Sequence, residues 1–307
     1  MTVLADDGPR LLRGGPIATA LREQVAQDVV AFRDERGYVP ALAVVVVGRD
    51  APSAVYLHKI LDGCRLVGIE DRLVELPGES SAEALGAAIR ELGEDPHVAG
   101  IITQMPLPPG IPLRAVIDNL DPMRDIDGIH PVNAGLLALG YEGFLPATAH
   151  ASVEILTNSG IDLAGRHAVV IGRSNVVGKP TALLLLREDA TVTICHSRTA
   201  DLAAITRTAD IVVIAVGRPG FLTGDMLKPG AVVVDVGINV VDGGLTGDVD
   251  FASAARVASA ITPVPGGVGP LTNAILLRHL MEAARGLASG RMPPGTRPLA
   301  AATPEVR

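Results

Sequence analysis

Short unbroken runs of aliphatic residues, each about one strand long, constrain this chain more than any other feature. They read ALAVVVVG (41–48), HVAGIIT (97–103), HAVVIG (167–172), ADIVVIAVG (209–217) and AVVVDVG (231–237). Apolar runs without alternation belong to strands covered on both faces, the situation of a parallel sheet between helices. Aromatics are 2% of the chain and Trp is absent, so the core has to be assembled from Val, Ile, Leu and Ala. The longest runs, Leu42 to Val47 and Ile211 to Val216, fall far short of the ~20 residues of a membrane span. The start, MTVLADDGPRLLRGG, lacks the apolar stretch of a secretory signal. A cytoplasmic protein without a membrane partner is expected.

Helical spacing fills the stretches between these runs. Ile17, Leu21, Val25, Val29 and Phe32 predict a helix over 17–36, and Ser53 to Val67 reads as a helix ended by Gly68. DRLVELP (71–77) reads as a strand and 81–92 as a helix capped by Ser80 or Ser81. Pro106, Pro108 and Pro109 stop the strand at 97–103. Beyond Pro146 come a connecting helix (151–159), a strand (167–172), a helix (177–186) and a strand (190–195). A short helix (202–206), strands at 209–217, 231–237 and 258–262, and an amphipathic helix (271–285) complete a Rossmann-like order. The fold class is therefore α/β, and 307 residues suit two domains. Residues 1 to about 12 read as a loose tail, and the Pro-, Ala- and Gly-rich 289–307 as disordered.

Charge and composition exclude several classes. A net charge of -8 argues against a polyanion binder, and the scarcity of aromatics against base stacking, so no nucleic-acid partner is expected. Cys64 and Cys195 are too few for a disulfide scaffold or a Cys-rich zinc module and read as small buried apolar residues.

Five segments can carry chemistry. VVIGRSNVVGKP (169–180) runs from a strand through Gly172 and a polar turn into a helix opened by Val177 and Gly178, an arrangement suited to a pyrophosphate. It is not a GxGxxG, because Ser174 replaces the second glycine. ATVTICHSRT (190–199) lacks the acid that bonds the ribose hydroxyls in NAD enzymes. It offers His196, Ser197, Arg198 and Thr199, with Arg173 and Lys179 in the earlier turn, and such groups suit the extra phosphate of NADP over NAD. ITPVPGGVGPLT (261–272) is a stiff loop whose glycines let the backbone approach a ligand, and it lacks the Lys-Ser/Thr of an NTPase. DPMRDIDGIHPVNAG (121–135) clusters acids with His130, but its spacing matches no metal-ligand pattern, so no metal is expected. An Asp that accepts a ligand's N–H groups suits this loop better, with His130 as a loop or packing residue. PSAVYLHKILDGCRLVGIE (52–70), with TQMPLP (103–108), places Tyr56 and Lys59 on one helix, where an acid/base role competes with an ordinary exposed face.

Together these strings resemble the bifunctional methylenetetrahydrofolate dehydrogenase/cyclohydrolase family. The likeness runs from about residue 12 to about 286 and includes VGRDAPSAVY, GIITQMPLP, DIDGIHPVNAG, VVIGRSNVVGKP, ATVTICHS, GAVVVDVGIN, GDVDF and TPVPGGVGPLT in the family's order. The resemblance implies an N-terminal α/β catalytic domain (1–145 plus 271–288, the last helix returning to it) and a C-terminal Rossmann-like NAD(P)-binding domain (146–270). A folate cleft between the domains and a homodimer are implied as well. Tyr56, Gln104 and Asp127 would hold a tetrahydrofolate derivative, with Asp127 on the pterin ring. Ser53, Pro265, Gly266 and Gly267 would join the substrate site, and the loop from Pro263 to Gly269 would lie near the nicotinamide. Gly172, Arg173, Ser174, Val177, Gly178, Ser197 and Ile238 match cofactor-contacting positions, and Arg198 lies beside them.

The departures bear on chemistry. The family's catalytic lysine stands four residues after the tyrosine, where this chain has Ile60, and Lys59 is one residue early. A one-residue step turns a side chain by about 100° on a helix. PATA (146–149) replaces PCTP, Arg124 stands where lysine is usual, and Arg278-His279 replaces Asn-Thr. Hydride transfer is cofactor chemistry that asks the protein mainly for placement. Hydrolysis of the methenyl cation needs a positioned acid/base. The expectation is an NADP-dependent dehydrogenase with weak or absent cyclohydrolase activity. The alternatives are a fully bifunctional enzyme with Lys59 as base, and an inactive folate- and NADP-binding paralogue.

Overall fold

The computed structural model describes residues 8–48 and 51–290, and the side chains of 51–56 lie outside the described residues. The chain opens with β1 (Arg10–Leu11), α1 (Gly14–Arg36), β2 (Ala41–Val47), α2 (Ala51–Val67), β3 (Glu70–Leu76), α3 (Ala82–Glu94) and β4 (Val98–Thr103). Two short helices follow, α4 (Arg114–Ile117) and α5 (Pro131–Leu139). Then come α6 (Ala147–Asn158), β5 (His167–Ile171), α7 (Gly178–Arg187), β6 (Thr191–Cys195), α8 (Leu202–Thr206) and β7 (Ile211–Ile214). The last stretch holds β8 (Val232–Asp235), β9 (Asn239–Val241), β10 (Gly244–Thr246), α9 (Phe251–Ala254), β11 (Ala260–Ile261) and α10 (Val268–Ala288). Two compact units result. One gathers Ala18–Ala147 with the described residues from Asn273 on, the other Thr148–Thr272 with the described residues up to Ile17.

The unit built on Ala18–Ala147 has a three-stranded parallel sheet in the order β3-β2-β4. Strand order reverses between the β2–β3 and β3–β4 connections, so right-handed crossovers place α2 and α3 on opposite faces. On the α3 face Ala41, Ala43, Val45 and Val47 pack with Leu85, Ile89 and Ile101. Ser81 caps α3 by accepting a bond from Ala84 N–H at 3.2 Å. The other face takes α2 and α10. A Cβ on Gly63 of α2 would touch Leu277, and one on Gly100 of β4 would meet Leu280 at 2.6 Å and Ile126 at 2.9 Å. Gly100 thus lets the last helix and the 121–128 segment close on the strand. α10 packs on this unit, as the family resemblance implies.

The second unit is a six-stranded parallel sheet in the order β1-β11-β8-β7-β5-β6. β5, β7 and β8 are buried along their whole length save His167, which accounts for their unbroken aliphatic runs. Connections run to opposite sides from β5, so the sheet's switch point lies at the C-terminal ends of β5 and β7.

Several expectations need correction. Residues 10–12 are not part of a loose tail. Arg10 N–H donates to Ser259 O and Leu12 N–H to Ile261 O, both at 2.9 Å, and Leu12 is buried. This short strand covers the edge of β11. His130 is a loop residue as expected, and its ring in addition caps α5, accepting Val132 N–H on Nδ1 and bonding Ile117 O through Nε2. α6 begins at Ala147 rather than 151, α10 begins at Val268 inside the glycine loop, and the β9–β10 hairpin was not expected. Of the expected 289–307 tail, 291–307 lie outside the described residues. Among the described residues no helix is long and apolar enough to cross a membrane.

Candidate active site

In the first unit the candidate site forms at the C-terminal edge of β2 and β4, on the face shared by α2 and α10. Gln104 follows β4 and extends its ladder, donating its N–H to Val45 O at 2.8 Å. Its side-chain Nε2 donates to Met105 O at 3.0 Å, while the buried Oε1 has no partner among the described residues. Strand alternation puts Gln104 on the face of Gly100 and Ile102, towards Ile126 and α10.

Asp127 sits in a loop built by its neighbours. Asp125 is fully buried and accepts N–H groups of Ile129 (3.1 Å) and His130 (2.8 Å) and the Asn133 amide (2.8 Å). Gly128 has φ +64, and a Cβ there would sit 2.5 Å from Pro146 N, so this turn requires glycine. Ile126 O accepts from His279 Nδ1 of α10 at 2.8 Å, which fixes the proton on Nδ1. The His279 ring also packs on Phe144, with centroids 5.7 Å apart. Burial, reinforced by the Asp125 charge, pushes the Asp127 carboxyl up to about 7, while Ala147 N–H opposes the rise. Burial likewise pushes Asp125 up to about 6 against its three donors. Asp127 therefore carries a carboxyl whose ionised form is disfavoured by its surroundings and would be favoured by N–H donors of a ligand.

α2 places Ile60 and Lys59 on different faces. Leu57, Ile60, Leu61, Cys64 and Val67 form its buried stripe, and Ile60 is 2% exposed. Lys59 lies off that stripe and is exposed. Ser53 and Tyr56 are on the same helix, but their side chains lie outside the described residues. Burial pushes the Cys64 thiol up to about 12, so it is an inert core residue.

The second unit gathers the nucleotide candidates at the C-terminal edge of its sheet. Gly172 has φ +126, and a side chain there would overlap Ala215 O. A side chain on Gly178 would likewise overlap Gly172 O, so this turn is a tight cradle that only glycine permits. The Ser174 hydroxyl accepts Val177 and Gly178 N–H at 3.1 and 3.3 Å, satisfying the start of α7. After β6, Thr199 Oγ1 accepts His196 N–H and His196 Nδ1 accepts Arg198 N–H, forming a turn that leaves Ser197 and Arg198 exposed. Arg173 is exposed as well, and no carboxylate occupies this turn. The donor set fits a phosphorylated ribose, and the glycine cradle fits a pyrophosphate. Ile238 is 64% exposed beyond β8. Gly266 has φ +106, Gly267 is buried, and a Cβ on Gly267 would lie 2.7 Å from Pro263 O, while Pro265 is exposed. Among the described residues no cluster of three or more His, Cys, Asp or Glu is placed to hold a metal.

Sequence reasoning missed Asp235 and Asp248, two buried carboxylates that tie these loops together. Their signal is that GAVVVDVGIN, with Asp235, and GDVDF, with Asp248, are among the strings that carry the resemblance, where neither acid has an assigned role.

Known proteins match this architecture. A family model for the tetrahydrofolate dehydrogenase/cyclohydrolase catalytic domain matches residues 12–127, and one for the NAD(P)-binding domain of the same family matches 146–287. A Roseiflexus protein named "Bifunctional protein FolD" is 52% identical over 276 residues, covering 90% of this chain and 96% of its own. The solved bifunctional FolD of Campylobacter jejuni shares 40% identity at a TM-score of 0.88, covering 90% of this chain and 98% of that one. The Trypanosoma brucei dehydrogenase-cyclohydrolase, solved with NADP cofactor and inhibitor, shares 36% identity at a TM-score of 0.88 over 93% and 100% of the two chains.

Proposed function

This chain belongs to the tetrahydrofolate dehydrogenase/cyclohydrolase family, and from that premise we propose that it oxidises methylene-tetrahydrofolate to methenyl-tetrahydrofolate, with weak or absent cyclohydrolase activity. NADP, bound to the second unit, supplies the hydride acceptor. The first unit holds the folate: Asp127 accepts pterin N–H groups, and Gln104 Oε1, without a partner among the described residues, takes a further donor. Tyr56 and Ser53 join them by match of motif. In the second unit the Gly172 and Gly178 cradle admits the pyrophosphate, with Ser174 and Val177 shaping the turn. Arg173, Ser197 and Arg198 face the extra phosphate, which favours NADP over NAD. Ile238 and the Pro265–Gly267 loop complete the nicotinamide side. A homodimer, implied by the resemblance, is checked by light scattering.

The observation that carries the loss of hydrolysis is the α2 register. Ile60 occupies the buried stripe at the family's lysine position, and Lys59 points to the outside. Hydride transfer needs no side-chain proton, whereas adding water to the methenyl cation and breaking a ring C–N bond does. Two assays on one purified sample test this: NADPH formation from methylene-tetrahydrofolate, and loss of methenyl-tetrahydrofolate against its spontaneous rate. Turnover in the first with no acceleration in the second is the expected result. Accelerated hydrolysis that vanishes in Lys59→Ala would overturn the proposal in favour of a bifunctional enzyme.

A further inference from the structure

We infer that Asp248, held by Asp235, is a positioning residue for the nucleotide, clamping the loops after β7 and β8 into one preformed surface. The inference rests on the nucleotide reading of the second unit.

Asp248 is completely buried, yet it lies on neither a strand nor a helix of the sheet. Its Oδ2 accepts Val216 N–H at 2.6 Å and Gly217 N–H at 2.9 Å. Its Oδ1 accepts Arg218 N–H at 2.7 Å and the Asn239 amide at 2.9 Å. One carboxylate thus gathers three consecutive backbone donors from the β7 loop and one side-chain donor from the β9 hairpin. Asp235, the last residue of β8, holds the clamp in turn. It accepts N–H groups from Gly237 (3.0 Å), Asp248 (2.9 Å) and Val249 (2.9 Å). Its own N–H donates to Thr262 Oγ1 at 2.7 Å, just before the Pro263–Gly267 loop. Side chains on Gly237 or Gly247 would overlap the Asp248 and Asp235 carboxylates, so the space is fully used.

The loops after β7, β8 and β11 are therefore fastened to one another by two acids. These are C-terminal loops beside the switch point, where open α/β sheets take their ligands. Ile238, a candidate cofactor contact, stands between two fastened residues, Gly237 and Asn239. A surface ordered in advance spares the nucleotide the cost of ordering it on binding. Only a carboxylate can serve here. An amide of the same shape would turn an N–H2 group towards backbone donors, leaving them unpaired.

Calorimetric titration with NADP+ on the full chain tests this, together with KM for both substrates. Asp248→Asn is expected to weaken NADP+ binding at least ~10-fold, while KM for methylene-tetrahydrofolate stays within about twofold. Asn239→Ala removes one donor without leaving a buried backbone group unpaired, and it carries the test should Asp248→Asn fail to fold. It is expected to weaken NADP+ by about threefold while the protein stays folded, with a melting temperature lowered by only a few degrees. Folded variants that bind NADP+ as tightly as wild type would overturn the inference, whatever their melting temperatures. Wild-type protein that binds neither NADP+ nor NAD+ would instead overturn the nucleotide reading itself, and the inference with it.

Discussion

Replacing Ile60 with lysine tests the chemical core of the proposal, because it returns a base to the family's position without touching the nucleotide unit. Ile60 is 2% exposed, so the exchange removes a fully buried aliphatic side chain. That burial is worth ~1.5–3 kcal/mol, part of which the lysine stem recovers by lying along the same apolar stripe. The ammonium needs a polar partner, and Gln104 Oε1 is a buried acceptor on the same face of the sheet with no partner among the described residues. A net loss of ~2 kcal/mol would lower the melting temperature by about 4–8 °C. A positioned base contributes ~10²–10⁴-fold, equivalent to ~3–5 kcal/mol of barrier. Ile60→Lys is therefore expected to raise methenyl-tetrahydrofolate hydrolysis by at least ~100-fold over wild type. Its dehydrogenase rate should change little. The assay follows methenyl absorbance in wild type, Ile60→Lys and the Ile60→Lys/Lys59→Ala double variant, with thermal melts as a fold control. A folded Ile60→Lys protein with intact dehydrogenase activity and wild-type hydrolysis would refute the reasoning, since position 60 would then not govern proton transfer.

Three further outcomes are expected. With Arg173 in the proposed role on the extra phosphate, Arg173→Ala should raise KM for NADP about 10- to 100-fold while KM for NAD stays level; equal effects on both cofactors would count against Arg173 in that role. Asp127 has its folded pKa raised to about 7, above the ~3.9 of an unfolded Asp, so the folded state keeps a proton that the unfolded state releases. Stability should therefore fall as pH rises from about 4 to about 7, with Asp125, raised to about 6, adding to the slope, and Asp127→Asn should reduce that slope in thermal melts, whereas an unchanged slope would assign the dependence to other groups. His279→Phe keeps an aromatic ring against Phe144 but strands the buried Ile126 carbonyl, at ~1–3 kcal/mol. Its KM for methylene-tetrahydrofolate should rise, with recovery in His279→Gln, and a KM equal to wild type would show that the Asp127 loop holds without it.

Local physics made much of the molecule readable in the sequence. Strands β2, β4, β5, β7 and β8 are buried runs bounded by glycine, proline or polar residues, and their length and β-branching announce them without reference to the rest of the chain. The Ser81 cap and the Gly68 stop depend on neighbours a few residues away. Motif order led to the family, and helical geometry alone placed Ile60 and Lys59 about 100° apart.

What stayed hidden depends on partners far along the chain. β1 is two residues whose strand character exists only because β11 offers an open edge some two hundred and fifty positions later. Which of Ile60 and Lys59 turns inward was decided by the face of α2 that meets the sheet and α10. His279 has no meaning in its own helix until Ile126 O comes within 2.8 Å. Asp235 and Asp248 look like ordinary acids in sequence, since each takes its role from amides contributed by separate loops. Periodicity and turn chemistry are short-range and are written in the residues themselves. Buried polar groups must be satisfied by whatever the folded chain brings to them, so the tertiary structure alone assigns their partners.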